Sequence, residues 1–217
     1  MARGLGHSQL DAHACSCWIE IDLNALEQNI QGIQSHSQVP ILPILKGDAY
    51  GHGAPVVAAF LRSRGFPSLG VSSLEEALAI LQVTSVDLFV LTPPLPAQLP
   101  LFLKHRLSPT ICSVDLLEAV AKLAREYRQV ITIHLKVDTG FGRLGLAPGQ
   151  VLPLIESLKN EPYLRLGTVF THFSAAFNNP TFTQRQLQSF LNLKGQVLNL
   201  GGHERVLWHA ANSAAFL

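Results

Sequence analysis

Lys46 ends the apolar run of "LPILKGDAYGHG" (residues 42–53), and a glycine-flanked loop carrying Tyr50 and His52 follows at once. An amine at the rim of a buried strand can serve as a Schiff-base amine or a proton shuttle. Other polar residues recur where apolar runs end. Lys136 and Asp138 close "TIHLKVD", Arg143 lies beyond them in "DTGFGRLG", His172 sits in "FTHFS", and Asn212 and Ser213 follow "LWHAA". An arginine offers a fork to an anionic oxygen. Hydroxyl and backbone donors after the last strands suit a phosphate. Singly, each residue has a plain structural reading. Lys46 can snorkel to solvent, His172 can be a hydrogen-bonded interior histidine, Tyr50 can simply pack its ring, Asn212-Ser213 can cap a helix, and Asp138 to Gly140 can form a turn.

The elements that must position these residues are legible in the apolar periodicity. Strand-like runs occupy residues 40–46, 68–73, 87–92, 108–113, 132–138, 166–174 and 205–212. Helical patterns lie between them. Leu26, Ile30 and Ile33 share a face after Asp22, and Val56, Val57, Phe60 and Leu61 follow Pro55. Ser73 and Glu76 form a capping box before Ala77 and Leu81, and Asp115 with Glu118 predicts a similar start before Leu117 and Val120. Two more patterns follow, Val151, Leu154, Ile155 and Leu158 after Pro148, and Leu187, Phe190 and Leu191. Seven strands alternating with helices predict an α/β fold with a parallel sheet and right-handed crossovers. No glycine fingerprint opens the first helix, which disfavours an open dinucleotide-binding sheet. A (β/α)8 TIM-type barrel with one unit missing, about seven of eight strands, fits better. In such barrels chemistry sits at the C-terminal ends of strands, where the polar residues above fall.

Composition removes several function classes. Of 217 residues, Lys plus Arg number 16 and Asp plus Glu 15, so no strong field recruits nucleic acid or an anionic membrane. The three cysteines do not form a disulfide framework, which places the protein in a reducing, cytoplasmic setting. His13, Cys15 and Cys17 lack the second ligand pair of a zinc site, and no metal is expected. The first residues lack the apolar core of a secretory signal, and prolines at 93, 94, 96 and 100 break the longest uncharged run between Leu88 and Leu103.

An amine, a guanidinium, an imidazole and phosphate donors compose a pyridoxal phosphate site. Here the chain resembles the N-terminal barrel domain of bacterial alanine racemases. The segments "WIEIDLNALEQNI", "KGDAYGHG", "GVSSLEEAL", "HLKVDTGFGRLG", "THFSAA" and "HAANSAAFL" occur in family order from Trp18 to Leu217. Residues 1–17 fall outside and are expected to be a disordered extension, with residues 18–217 the barrel domain. The resemblance implies pyridoxal 5'-phosphate as cofactor and interconversion of L- and D-alanine, the latter for peptidoglycan. It implies that Lys46 holds the cofactor covalently and moves the α-proton on one face. Tyr50, Asn212 and Ser213 would contact the phosphate, and His172 would pack on the pyridine ring. Arg143 would reach the phenolic oxygen and the substrate carboxylate. Lys136 matches a position often carbamylated, which would orient Arg143, and His209 would support an arginine facing the pyridine nitrogen. Full-length members are homodimers.

Departures are mild at Gly47, Phe141 and Phe177. At the C-terminus, by contrast, the family continues past "HAANSAAFL" with an eighth strand and a β-rich domain that supplies the second base. The chain is therefore expected to be truncated and inactive alone, with "WIEID" an unpaired strand. Two other readings are a non-catalytic pyridoxal phosphate-binding module and an unstable remnant of an interrupted gene. Alanine and serine racemases of this build would share most of these motifs.

Overall fold

Asp22 starts the first helix by accepting hydrogen bonds from the backbone of Asn24 and Ala25 at 2.8 and 3.2 Å, and α1 runs Leu23–His36. The computed structural model describes residues 17–216. These fall into two units divided between Leu88 and Phe89. Of the three residues weighed and set aside as a metal site, His13 and Cys15 lie outside the described residues, and Cys17 is an exposed free thiol. The N-terminal extension lies outside them as well, Cys17 apart.

In the first unit, α1 is followed by α2 (Lys46–Gly51), α3 (Ala54–Ser63), β1 (Ser68–Val71), α4 (Leu74–Leu81) and the start of β2 (Asp87–Val90). The first strand, expected over 40–46, is a single parallel bridge between Ile44 and Gly70. Pro40 and Pro43 have no N–H to give a ladder, so only Pro43 O and Leu45 N pair, both with Gly70, at 2.8 and 2.7 Å. A Cβ on Gly70 would collide with the Ile44 side chain, which is why that position is bare. "WIEID" is not a strand either. No described segment pairs with it, and Trp18 and Ile19 are 64% and 77% exposed.

In the second unit, β3 (Thr110–Ile111), β4 (Ile131–Lys136), β5 (Leu164–Phe170) and β6 (Leu207–His209) form one sheet in that order, every pair parallel. Helices α5 (Leu99–Lys104), α6 (Val114–Tyr127), α7 (Pro148–Ser157) and α8 (Pro180–Asn199) intervene, and α9 (Ser213–Phe216) follows β6. Ile133, Leu135, Val151, Ile155, Val169, Leu193 and Val197 form its core where β4 and β5 meet α7 and α8. The start of α6 differs from expectation. Ser113, not Asp115, is the cap, accepting from Leu116 N at 3.3 Å, because a hydroxyl at the end of β3 reaches the first free N–H sooner. Among the described residues, six strands alternate with helices, and the parallel Ile44–Gly70 bridge stands where the first of the seven expected strands falls, which is the β/α repeat that the sequence predicts.

Candidate active site

Leu45, buried, and Ile44, half-buried, deliver Lys46 to the end of the first pairing, where its side chain is exposed. The next turn is wound against the usual hand: Gly47, Asp48, Ala49 and Tyr50 all have φ between 55 and 62°. Three non-glycine residues in this region cost about 1–2 kcal/mol each, and local bonds hold them there. Asp48 accepts from Ala54 N at 2.6 Å, starting α3, and Gly53 N donates to Asp48 O at 3.0 Å. The turn sets the Lys46 amine 5.7 Å from the centre of the Tyr50 ring.

Glu76 is the second anchor. One oxygen accepts from Gly47 N at 2.7 Å, and the other from Ser72 N and Oγ at 2.7 and 2.9 Å. The capping box is thus half as expected. Ser73 Oγ does accept from Glu76 N at 3.3 Å, but the carboxylate turns to Gly47 and Ser72 rather than back to Ser73. Burial works to raise the Glu76 pKa, and these bonds outweigh it and lower it.

In the second unit, parallel register sets Lys136, Phe170 and His209 side by side at three strand ends. Lys136 is 8% exposed, its amine 5.7 Å from the Phe170 ring centre. Phe170 stacks on His209 at 4.9 Å. Burial pushes His209 down to about 4, so it is neutral, and its Nε2 is buried with no hydrogen-bond partner among the described residues. Burial likewise raises the neighbouring Cys112 thiol to about 11, against the opposing charge of Lys136.

Asp138 organises the loop that follows β4. Its carboxylate accepts from the backbone of Gly140, Phe141, Gly142 and Arg143 at 2.7–3.2 Å. Burial would raise its pKa, and the four amides lower it. The loop places the Arg143 guanidinium 4.2 Å over the Phe141 ring, whose centre lies 5.4 Å from that of His172. Arg143 and Asp138 also line an open cleft of about 570 Å³ with Pro93, Pro96, Cys112 and Ser113. Asn212 ties the end of β6 to that of β5, its Nδ2 donating to Phe173 O at 3.4 Å and its Oδ1 accepting from Ala215 N at 3.0 Å. Ser213, exposed, opens α9.

Every predicted site residue therefore stands at or just past a strand end. Lys46 and Tyr50 meet in the first unit. Arg143 and His172 meet through Phe141 in the second, Lys136 and His209 through Phe170, and Asn212 and Ser213 follow β6. Sequence reasoning gave Glu76 only a capping role and passed over Gln186, a buried polar residue of α8.

The family model of the alanine racemase N-terminal domain matches residues 21–217. The chain belongs to that family. A relative named alanine racemase in Chlorobaculum tepidum is 34% identical over 203 residues, covering 91% of this chain and 53% of its own length. Another, from Halothermothrix orenii, is 32% identical over 92% of this chain and 54% of its own. The chain thus spans about half the length of the curated relatives it matches. Among solved structures, alanine racemase of Clostridium difficile 630 superposes with a TM-score of 0.82 at 26% identity, covering 89% of this chain and 52% of that one. That of Bacillus anthracis, with bound L-Ala-P, gives 0.82 at 28%, covering 92% and 53%. The fold class is α/β, an incomplete (β/α)8 barrel of the alanine racemase type. No helix among the described residues is long and apolar enough to cross a membrane, and they contain no cluster of three or more potential metal ligands.

Proposed function

We propose that this chain is the cofactor-binding barrel of an alanine racemase and that the group it binds is pyridoxal 5'-phosphate. The observation that carries this reading is Lys46, an exposed amine at the end of the first strand pairing, followed by a left-handed turn that sets Tyr50 beside it. The donor set fits the group: an amine for its aldehyde, a phenol, an amide and a hydroxyl for its phosphate, an imidazole for its ring face, and a guanidinium for its anionic oxygen. When bound, this group draws electrons from the α-carbon of an amino acid and so acidifies its α-proton.

The chain's own residues do the rest. Lys46 would hold the cofactor through its amine and would take or return the α-proton on one face. Tyr50, Asn212 and Ser213 hold the phosphate. His172 lies against the ring. Arg143, fixed by the Asp138 loop, binds the phenolic oxygen and orients the substrate carboxylate. Lys136, given a negative charge by carbamylation, holds Arg143 in place. His209, neutral and with an Nε2 that has no partner among the described residues, supports an arginine directed at the pyridine nitrogen.

Interconversion of L- and D-alanine, supply of D-alanine to peptidoglycan, a cytoplasmic location and pairing into homodimers belong to this reading of the whole protein. Family membership supports them. To test the cofactor site, the purified chain is incubated with pyridoxal phosphate, reduced with borohydride and digested for peptide mapping. One adduct, on Lys46, is expected, and Lys46→Ala should lose it. Labelling scattered over many lysines, or undiminished in the variant, would refute the reading.

A further inference from the structure

Gln186 is a fully polar side chain in a place that sequence periodicity treats as one more position on a helix. It lies in the second turn of α8, is 1% exposed, and uses both ends of its amide. Its Oε1 accepts from Ser174 N at 3.1 Å and Ser174 Oγ at 3.3 Å. Its Nε2 donates to Thr139 Oγ1 and to His172 O, both at 3.4 Å. Thr139 in turn shares a hydrogen bond with Thr171 Oγ1 at 2.8 Å, and Thr171 Oγ1 donates to Val137 O at 2.8 Å. One turn earlier, the Phe182 ring abuts Gly140, where a Cβ would lie 2.9 Å from Cζ.

Burying an amide without partners is costly, so a glutamine kept here is held by what it joins. It joins the loop after β4, which carries Arg143, to the loop after β5, which carries His172. We propose that Gln186 is a positioning residue: it fixes the His172 peptide and the Thr139 end of the Arg143 loop in one arrangement, so that both side chains meet the cofactor together. The geometry stands by itself, and its consequence for binding rests on the pyridoxal phosphate reading.

Three variants of the full chain test this. Gln186→Met keeps the length and loses both ends of the amide. Gln186→Glu keeps an acceptor for Ser174 N and loses the amide donor that serves Thr139 and His172. Both are titrated with pyridoxal phosphate by absorbance, and amide hydrogen exchange is followed at Ser174 and in β4. Each variant should bind the cofactor about tenfold more weakly, the order expected for losing one buried hydrogen bond. Ser174 should exchange at least tenfold faster in Gln186→Met, stay protected in Gln186→Glu, and leave Ile133 and Leu135 unchanged. Unaltered binding in both variants would overturn the proposal, as would acceleration of the β4 amides by the same factor as Ser174. If Gln186→Met does not fold, Thr139→Val removes one arm and is read in the same way. If the unsubstituted chain takes up no pyridoxal phosphate, the cofactor reading fails. The exchange pattern then decides alone: selective loss at Ser174 upholds the joining role, and uniform loss ends it.

Discussion

Acidifying the protein from pH 7.5 to 5.0 should cost it stability through two buried histidines. His134 lies in β4, 8% exposed, with Nδ1 2.9 Å from Thr168 Oγ1 and the Phe89 ring edge-on at 4.0 Å. Burial and then the nearby His209 push its pKa down to about 3, and burial pushes His209 to about 4. Both values lie below the ordinary 6.5. The unfolded chain therefore takes up protons first as pH falls, and stability is full above about 6.5 and declines toward the folded values. Each histidine contributes a slope of up to about 1.4 kcal/mol per pH unit. Together they remove about 4 kcal/mol at most by pH 5.0, a large share of a domain's typical stability of roughly 5–15 kcal/mol. Asp138 and Glu76, with lowered pKa values, titrate below this window. Urea unfolding followed by circular dichroism at the two pH values measures the loss. His134→Gln, which can still reach Thr168 but cannot ionise, should show about half the pH dependence. Equal stability at pH 7.5 and 5.0, or an undiminished slope in the variant, would show that burial does not keep these rings neutral.

Three further outcomes are expected. Asp138→Ala strands four backbone amides and should cost about 2–3 kcal/mol in urea titration; the native contribution is present above the ordinary carboxylate pKa and lost as pH falls through the lowered one. Gly145→Ala, at φ +135° and with its Cβ 2.6 Å from Asp138 N and 2.9 Å from Val137 C, should lower stability by roughly 3 kcal/mol or more in thermal melts. Glu76→Gln offers an amide where Gly47 N and Ser72 N need acceptors, and should slow borohydride-fixed labelling of Lys46 by about tenfold.

The strand ends were legible because apolar runs give way to polar residues at Lys46, at Lys136 and Asp138, and at Asn212 and Ser213, and a β/α repeat leaves little choice about where such residues go. Asp138 was readable as a turn, since a carboxylate before Thr-Gly collects the following amides. The first strand was over-read. Its apolar pattern is sound, but Pro40 and Pro43 withhold the donors that would extend one bridge into a ladder. "WIEID" alternates like a strand and has no partner among the described residues, and alternation alone cannot supply one. The reach of Glu76 beyond its capping role, and Gln186 altogether, were hidden for another reason. Each sits at an unremarkable helical spacing, and its partners, Gly47 for one and Thr139 for the other, lie 29 and 47 residues away in the chain.

The reversed hand of the turn after Lys46 also inverts the usual ranking of substitutions. In an ordinary helix alanine is the best residue and glycine among the worst. At Ala49, with φ 55°, the Cβ is the source of strain, so Ala49→Gly should stabilise the chain by about 1 kcal/mol. Valine, isoleucine or threonine at positions 48–50 should be excluded, while asparagine and glycine pass. A saturation library across Gly47 to Tyr50 would then read like a record of a left-handed path. The residues tolerated there would be chosen by backbone shape before any contact with a ligand could choose among them.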